Sequence, residues 1–248
     1  MASLRDIRSR ITSVKSTRQI TSAMKMVSAA KLKKAQDRIS SIRPYVKAMN
    51  EIIDEVAEHT VDKYNSVFTT QREEEKKILI VLISSNRGLC GAFNTNIGKK
   101  AIRLVEEKYL EQAKENNVKF YCFGKKSKDF IKKTRYPIID TNVDIINDLS
   151  YQNVTEIANK LMLLFETEEF DRIELVYNSF KVASQSNMID VTYLPFTIEK
   201  EKSEFPTDYI FEQDLMHIKE VIILDFLITK LFSVFLDSIA AEYGARMI

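Results

Sequence analysis

From Leu4 to about Glu58 the chain contains no glycine, and its apolar residues return every three or four positions: Leu4, Ile7, Ile11, Val14, then Ile20, Met24, Val27, then Ala35, Ile39, Ile42, Val46, Met49, Ile53 and Val56. That period marks one face of an α-helix. Ser3 is placed to cap it, and Asp6 three residues on gives a capping-box-like start with an acid at the positive helix end. At about 1.5 Å per residue such a helix is roughly 80 Å long. Pro44 interrupts it, but the stripe resumes in phase at Val46, so a kink is expected rather than an end. A helix of this length cannot bury its stripe inside one domain and needs a second long helix beside it. The other end of the chain offers one. From Val221 to Ile248 there is no proline, and Leu227, Leu231, Val234, Ser238, Ala241, Ala245 and Ile248 alternate steps of four and three, the seam of a coiled coil. The small residues in that seam permit close approach. The two terminal helices are therefore expected to pair as an antiparallel intramolecular coiled coil.

The middle of the chain reads as α/β. Lys77 to Ser85 is a nearly all-apolar strand, followed by a helix from about Asn94 to Asn116 and a strand from Val118 to Phe123. A short helix after Gly124, a strand around Ile138–Ile139, a helix from about Gln152 to Glu166, and strands Arg172–Phe180 and Met188–Pro195 complete the alternation. Strands and helices in this order build a sheet covered by helices. Ser66–Lys76 and Lys200–Thr207, both polar, read as linkers. The resulting division is an N-terminal coiled-coil helix over 1–65, a Rossmann-like α/β domain over 66–207 and a C-terminal coiled-coil helix over 208–248. Only 5 Gly and 4 Pro in 248 residues agree with long regular elements.

Charge is distributed unevenly. Residues 1 to 47 hold twelve Lys and Arg against Asp6 and Asp37 alone, a net +10, which leaves −8 for the rest of a chain whose total is +2. No cleavage-like stretch follows, so the basic segment is kept as mature structure rather than a targeting peptide. Something acidic is expected to meet part of this face. Nucleic acid is disfavoured, because single-strand platforms interleave aromatics with the basic residues and none occurs before Tyr45. The most apolar stretch, Val221 to Leu236, is broken by Asp225 and Lys230 and is too short to span a bilayer.

The residues that could carry chemistry are few. Cys90 and Cys122 have no paired spacing, and His59 and His217 lie far from them, so neither a metal cluster nor a disulfide framework is expected, and no cofactor. The loop ISSNRGLCGAFN, Ile83 to Asn94, follows a buried strand and opens a helix, where backbone N–H groups can cradle phosphate. Gly91 is followed by Ala92 and Phe93, however, and a P-loop needs Lys and Ser or Thr there. Gly88 and Gly91 read instead as turn residues. Cys90 sits near a helix start, which lowers a thiol pKa, but it has no base in reach and reads as a packed cysteine.

IRSRITSVKSTRQITSAMKMVSAAKLKKAQDRI, Ile7 to Ile39, closely resembles the N-terminal helix of the gamma subunits of F-type ATP synthases, down to the SVKSTRQIT and AMKMV runs. ISSNRGLCGAFN resembles that family's first strand and loop, with Asn86 where Asp is usual. YNSFKVASQ, Tyr177 to Gln185, resembles a family strand and turn, and LFSVFLDSIAAEYGARM, Leu231 to Met247, resembles the first half of its C-terminal helix. Family members continue for tens of residues past the ARM run, whereas this sequence stops at Ile248, leaving part of the first helix's apolar stripe to be covered by something else.

The resemblance implies a rotor without catalytic residues of its own. Its coiled coil would sit in the bore of the alpha and beta subunits of the catalytic head, with the globular domain on the c-ring beside the epsilon subunit. It would be peripheral to the cytoplasmic face of a bacterial inner membrane, without direct membrane insertion. Arg8, Arg10, Lys15, Arg18, Met24, Lys25, Arg87, Cys90, Glu242 and Arg246 are the subunit-contact candidates the resemblance supplies, with the AMKMV run meeting Glu242 and Arg246. Two other classes make distinct demands. A basic coiled-coil protein tracking nucleic acid would lose affinity steeply with salt, and a small α/β enzyme using the Gly88–Gly91 loop would bind nucleotide as an isolated chain.

Overall fold

The computed structural model describes residues 4–58, 66–72, 74–182, 185–197 and 215–248. Helix α1, Leu4–Glu58, is followed by β1 (Ile78–Ile83), α2 (Phe93–Lys108), α3 (Leu110–Lys114), β2 (Val118–Phe123) and α4 (Lys125–Ile131). Then come β3 (Ile138–Asn142), a single 3-10 turn at Asp144–Ile146, α5 (Tyr151–Glu166), β4 (Arg172–Val182), β5 (Gln185–Leu194) and α6 (Leu215–Met247). Pro44 lies inside α1 without ending it. The proposed cap Ser3, the linker Lys200–Thr207 and the boundary at 207/208 lie outside the described residues.

The sheet runs β3-β2-β1-β4-β5. Strand β1 is parallel to both β2 and β4, β3 is parallel to β2, and β5 closes the edge as an antiparallel hairpin partner of β4. All six residues of β1 are fully buried, as a central parallel strand covered on both faces requires. Alternation sorts them. Ile78, Ile80 and Leu82 pack with Ile97, Ala101, Leu104 and Val105 of α2 and with Phe120 and Cys122 of β2. Leu79, Val81 and Ile83 pack on the opposite side with Ile157 and Leu161 of α5 and Leu227, Leu231 and Phe235 of α6.

The long helix expected over Asn94–Asn116 is two helices. It breaks at Tyr109, whose backbone leaves the helical region while its buried hydroxyl donates to Glu174 Oε1 at 2.6 Å. Arg172 Nε, 2.9 Å from the same oxygen, joins Glu174 to Glu75 through a 2.6 Å ion pair. The segment before β1 is accordingly stitched down rather than a solvated linker: Arg72 donates to Asp171 at 2.6 Å and to the Phe165 carbonyl at the end of α5. Gly124 opens α4 at φ +92°, and a Cβ there would stand 2.4 Å from the Ser84 carbonyl oxygen.

The placement of α6 divides the expected seam. Leu227, Leu231 and Val234 lie in the cluster beneath the sheet with Phe123, Phe165 and Tyr193, which Met49 and Ile53 of α1 also join, while Ala241 and Ala245 meet the middle of α1 as expected. The residues of α6 that meet the middle of α1 are Leu236, Ala240 and Ala241, which share a cluster with Leu32, Ala35 and Ile39. Helix α6 is apolar on nearly every side because it is sandwiched between the sheet and α1, and a helix buried all round has no single stripe. The two helices run antiparallel: Tyr45 bonds Asp225 near one end of the contact, and Lys31 lies 5.4 Å over the Tyr243 ring near the other. On the N-terminal side of that contact α1 stands clear, with Leu4, Ile7, Ile11, Val14 and Ile20 exposed.

Candidate functional site

Open parallel sheets bind ligands outside the carboxyl ends of their strands, at the point where the strand order reverses. Here that point is the end of β1, between β2 and β4, and the loop that leaves it is Ser84–Ala92. Ser85 Oγ donates to the Arg87 carbonyl at 2.7 Å and lies 2.9 Å from Asn94 Oδ1. Asn86 ties the loop to its neighbours: its amide donates to the Val143 carbonyl at 2.8 Å and its oxygen accepts the Lys125 N–H at 2.9 Å. An aspartate at this position could do only the second, since an ionised carboxylate has no proton to donate. Leu89 takes φ +61° and stands 79% exposed at the tip.

Beneath that tip two side chains pack inward. Cys90, 2% exposed, and Phe93 share one cluster with Leu32, Ala35 and Ile39 of α1 and Leu236, Ala240 and Ala241 of α6. Burial pushes the Cys90 thiol up, outweighing the Ser85 hydrogen bond and the Arg246 charge that pull it down. Cys90 therefore holds the loop from within instead of presenting a thiolate. From the far side Arg246 Nη1 reaches over to donate to the Gly88 carbonyl at 2.7 Å.

The same guanidinium pairs with Glu242 one turn back. Both side chains are about nine-tenths buried. Burial drives the Glu242 carboxyl above its ordinary value, against the opposing pull of Arg246, Lys31 and Arg87. Met24, Arg87, Glu242 and Arg246 line one recess of about 650 Å³, floored by Ile20, Val27 and Ile146. Four of the sequence-derived candidates thus line one recess, with Met24 the member of the AMKMV run that reaches it beside Glu242 and Arg246. Arg8, Arg10, Lys15, Arg18 and Lys25 lie apart from the recess, exposed along α1. Lys15 and Arg18 flank a shallow depression with Gln19 and Ser22.

Sequence reasoning missed Tyr45, Tyr151 and Asp225, which meet where α1, α5 and α6 converge. The signal was present as an acid interrupting the apolar run of α6.

Helices α1 and α6 thus pack together against the loop that leaves β1, on one end of an α/β body. The family model described as ATP synthase matches residues 3–248. The chain belongs to this family, in its gamma-chain branch. It is 44% identical over 247 residues to the ATP synthase gamma chain of Christiangramia forsetii and 39% identical over 258 residues to that of Chloroherpeton thalassium. In both comparisons all of this chain and 84% of the relative are covered. Among solved structures, the central stalk and c-ring structure of Tetrahymena thermophila mitochondrial ATP synthase contains a chain of the same fold, with a TM-score of 0.66 and 23% identity over 92% of this chain and 96% of that one.

Proposed function

We propose that this chain is the central-stalk rotor of an F-type ATP synthase and carries no catalytic residue of its own. The observation that carries this reading is the long helix α1 packed along α6 on an α/β base, in a chain 44% identical to a relative named ATP synthase gamma chain. Arg8, Arg10, Lys15 and Arg18 lie exposed along α1. Such a basic helix fits acidic rims, as the bore between the alpha and beta subunits of a catalytic head provides. The globular base, residues 66–207, meets the c-ring and the epsilon subunit, while 1–65 and 208–248 form the shaft.

A lever shifts an equilibrium only through contacts that differ between states. An asymmetric shaft does this by presenting different sides to successive catalytic sites, so ATP chemistry stays in the beta subunits. The loop after β1 supports the reading of a chain without a nucleotide site, since Gly91 is followed by Ala92 and Phe93 where a P-loop needs Lys and Ser or Thr, and Cys90 and Phe93 are packed against α1 and α6. No helix among the described residues is long and apolar enough to cross a membrane. A peripheral position on the cytoplasmic face of a bacterial inner membrane is part of the proposal. The deciding experiment assembles the chain with alpha and beta subunits and attaches a bead to its globular domain. ATP should drive one-directional rotation by the complex and no turnover by the chain alone. Turnover by the isolated chain, or hydrolysis by the complex without rotation, would remove the proposal.

A further inference from the structure

We propose that Tyr45, Asp225 and Tyr151 form a latch that locks the shaft to the globular domain and carries torque between them. This rests on the rotor reading. Tyr45 of α1 donates its hydroxyl to Asp225 Oδ2 at 2.8 Å, and Tyr151, the first residue of α5, donates to Asp225 Oδ1 at 2.8 Å. One carboxylate on α6 thus takes a hydroxyl from each of two other helices, where Arg38 of α1 also reaches the Leu149 carbonyl just before α5 and Met49 and Ile53 of α1 share a buried cluster with Val154 and Ile157 of α5. Each oxygen takes a different partner, so neither bond substitutes for the other.

The surroundings fix the geometry. Thr229, one turn along α6 and 1% exposed, lies 3.3 Å from the Tyr151 hydroxyl, and the Phe232 ring meets the Tyr151 ring edge-on at 5.6 Å. Ser150 caps α5 immediately before Tyr151, accepting the Asn153 N–H at 3.1 Å. Hydrogen bonding to Asp225 raises Tyr45 to about 12, so its hydroxyl remains a donor at any physiological pH.

The contact between α1 and α6 packs Leu32, Ala35 and Ile39 against Leu236, Ala240 and Ala241, with Lys31 over the Tyr243 ring. Interlocked side chains of this kind resist separation and sliding. Hydrogen bonds weaken steeply as their angle departs from linear. A pair of them from one carboxylate to two different elements adds a directional restraint against twisting about the shaft axis. Asp225 is one of the two charges that break the apolar run of α6, and the latch gives that interruption a purpose.

The test uses the assembled ATP synthase with Tyr45→Phe, Tyr151→Phe, the double variant, and the double variant with Asp225→Ala. With the shaft cross-linked in the head, the angular spread of a bead on the globular domain reads the stiffness of the stalk. The double variant should assemble and hydrolyse ATP normally while its angular spread widens and proton pumping per ATP falls. In the same complex, amide exchange in the first turn of α5 should quicken by about tenfold, as loss of a bond to a charged acceptor predicts. Adding Asp225→Ala should widen the spread no further, since all three groups act as one unit. An unchanged spread in the double variant, or a further additive loss on removing Asp225, would overturn the latch even if thermal stability fell. Failure of the wild-type bead to rotate under ATP would instead overturn the rotor reading, and the torque role with it.

Discussion

Asp171 shows how far a single carboxylate can organise the segment that leads from α1 into the sheet. Its Oδ1 accepts from Arg72 at 2.6 Å, and its Oδ2 accepts the backbone N–H groups of Lys76 and Lys77 at 2.9 and 2.7 Å. Burial works to raise its pKa, but the Lys77, Arg72 and Lys76 bonds outweigh it and hold the carboxyl below its ordinary value of 3.8. With the folded value below the unfolded one, the stabilisation is complete above about pH 4 and is lost as pH falls through the folded pKa. Asp171→Asn should therefore cost about 1–3 kcal/mol near neutrality, by urea unfolding, with the gap to wild type closing toward about pH 2. A gap that stays constant with pH would show that the charge contributes nothing. Gly124 gives a second test at this scale. Its φ of +92° and the 2.4 Å approach of a Cβ to the Ser84 carbonyl leave no room for alanine, so Gly124→Ala should cost about 2–3 kcal/mol. None of these partners was legible in the sequence, because Arg72 and Asp171 are far apart in the chain and each looks like an ordinary surface charge.

At the scale of elements, the sequence located the helices and strands well and misjudged which faces meet. Strand β2 lies where the reading put it, and α5 starts one residue earlier. Helix α6 is the instructive case. A period of three and four says which residues lie on one side of a helix, but not what that side faces, and α6 is apolar on most sides. The first part of the stripe, Leu227, Leu231 and Val234, turned out to lie in the cluster beneath the sheet, and its later part, Ala241 and Ala245, against α1. Leu231→Asp, which a seam turned wholly to α1 would confine to the coiled coil, should instead destabilise the domain itself. Leu231 is fully buried with Leu79, Val81 and Phe123, and a carboxylate there should cost about 3–5 kcal/mol. Ala240→Asp is the matching lesion in the cluster with Leu32 and Ala35. Hydrogen exchange separates them: Leu231→Asp should loosen amides in β1 and α6 together, whereas Ala240→Asp should loosen the middle of α1 with β1 still protected. Equal protection of β1 in both variants would contradict this assignment of faces.

Across the whole molecule, the surplus of positive charge near the N-terminus was fully legible, and the structure shows how it divides. Part of it is answered internally. Asp237 of α6 feels Arg43, and Glu242 feels Lys31 and Arg87 as well as Arg246. Arg8, Arg10, Lys15 and Arg18 lie on the exposed part of α1, away from the acids of α6. An external acidic surface is what these four side chains fit. Replacing all four with Glu changes the local charge by eight units, counted from four Lys or Arg becoming four acids. It leaves the packed half of α1 untouched, so folding of the isolated chain should be preserved. Rim charges act mainly on the rate of association and are screened by salt. The variant should therefore associate with the alpha–beta head more slowly at low ionic strength, with the difference from wild type shrinking as salt is added. Rapid-mixing measurements of assembly at low and high salt read both effects. Association that is as fast as wild type at low salt would mean that the projecting helix is held by its apolar residues alone, and that its basic face has another use.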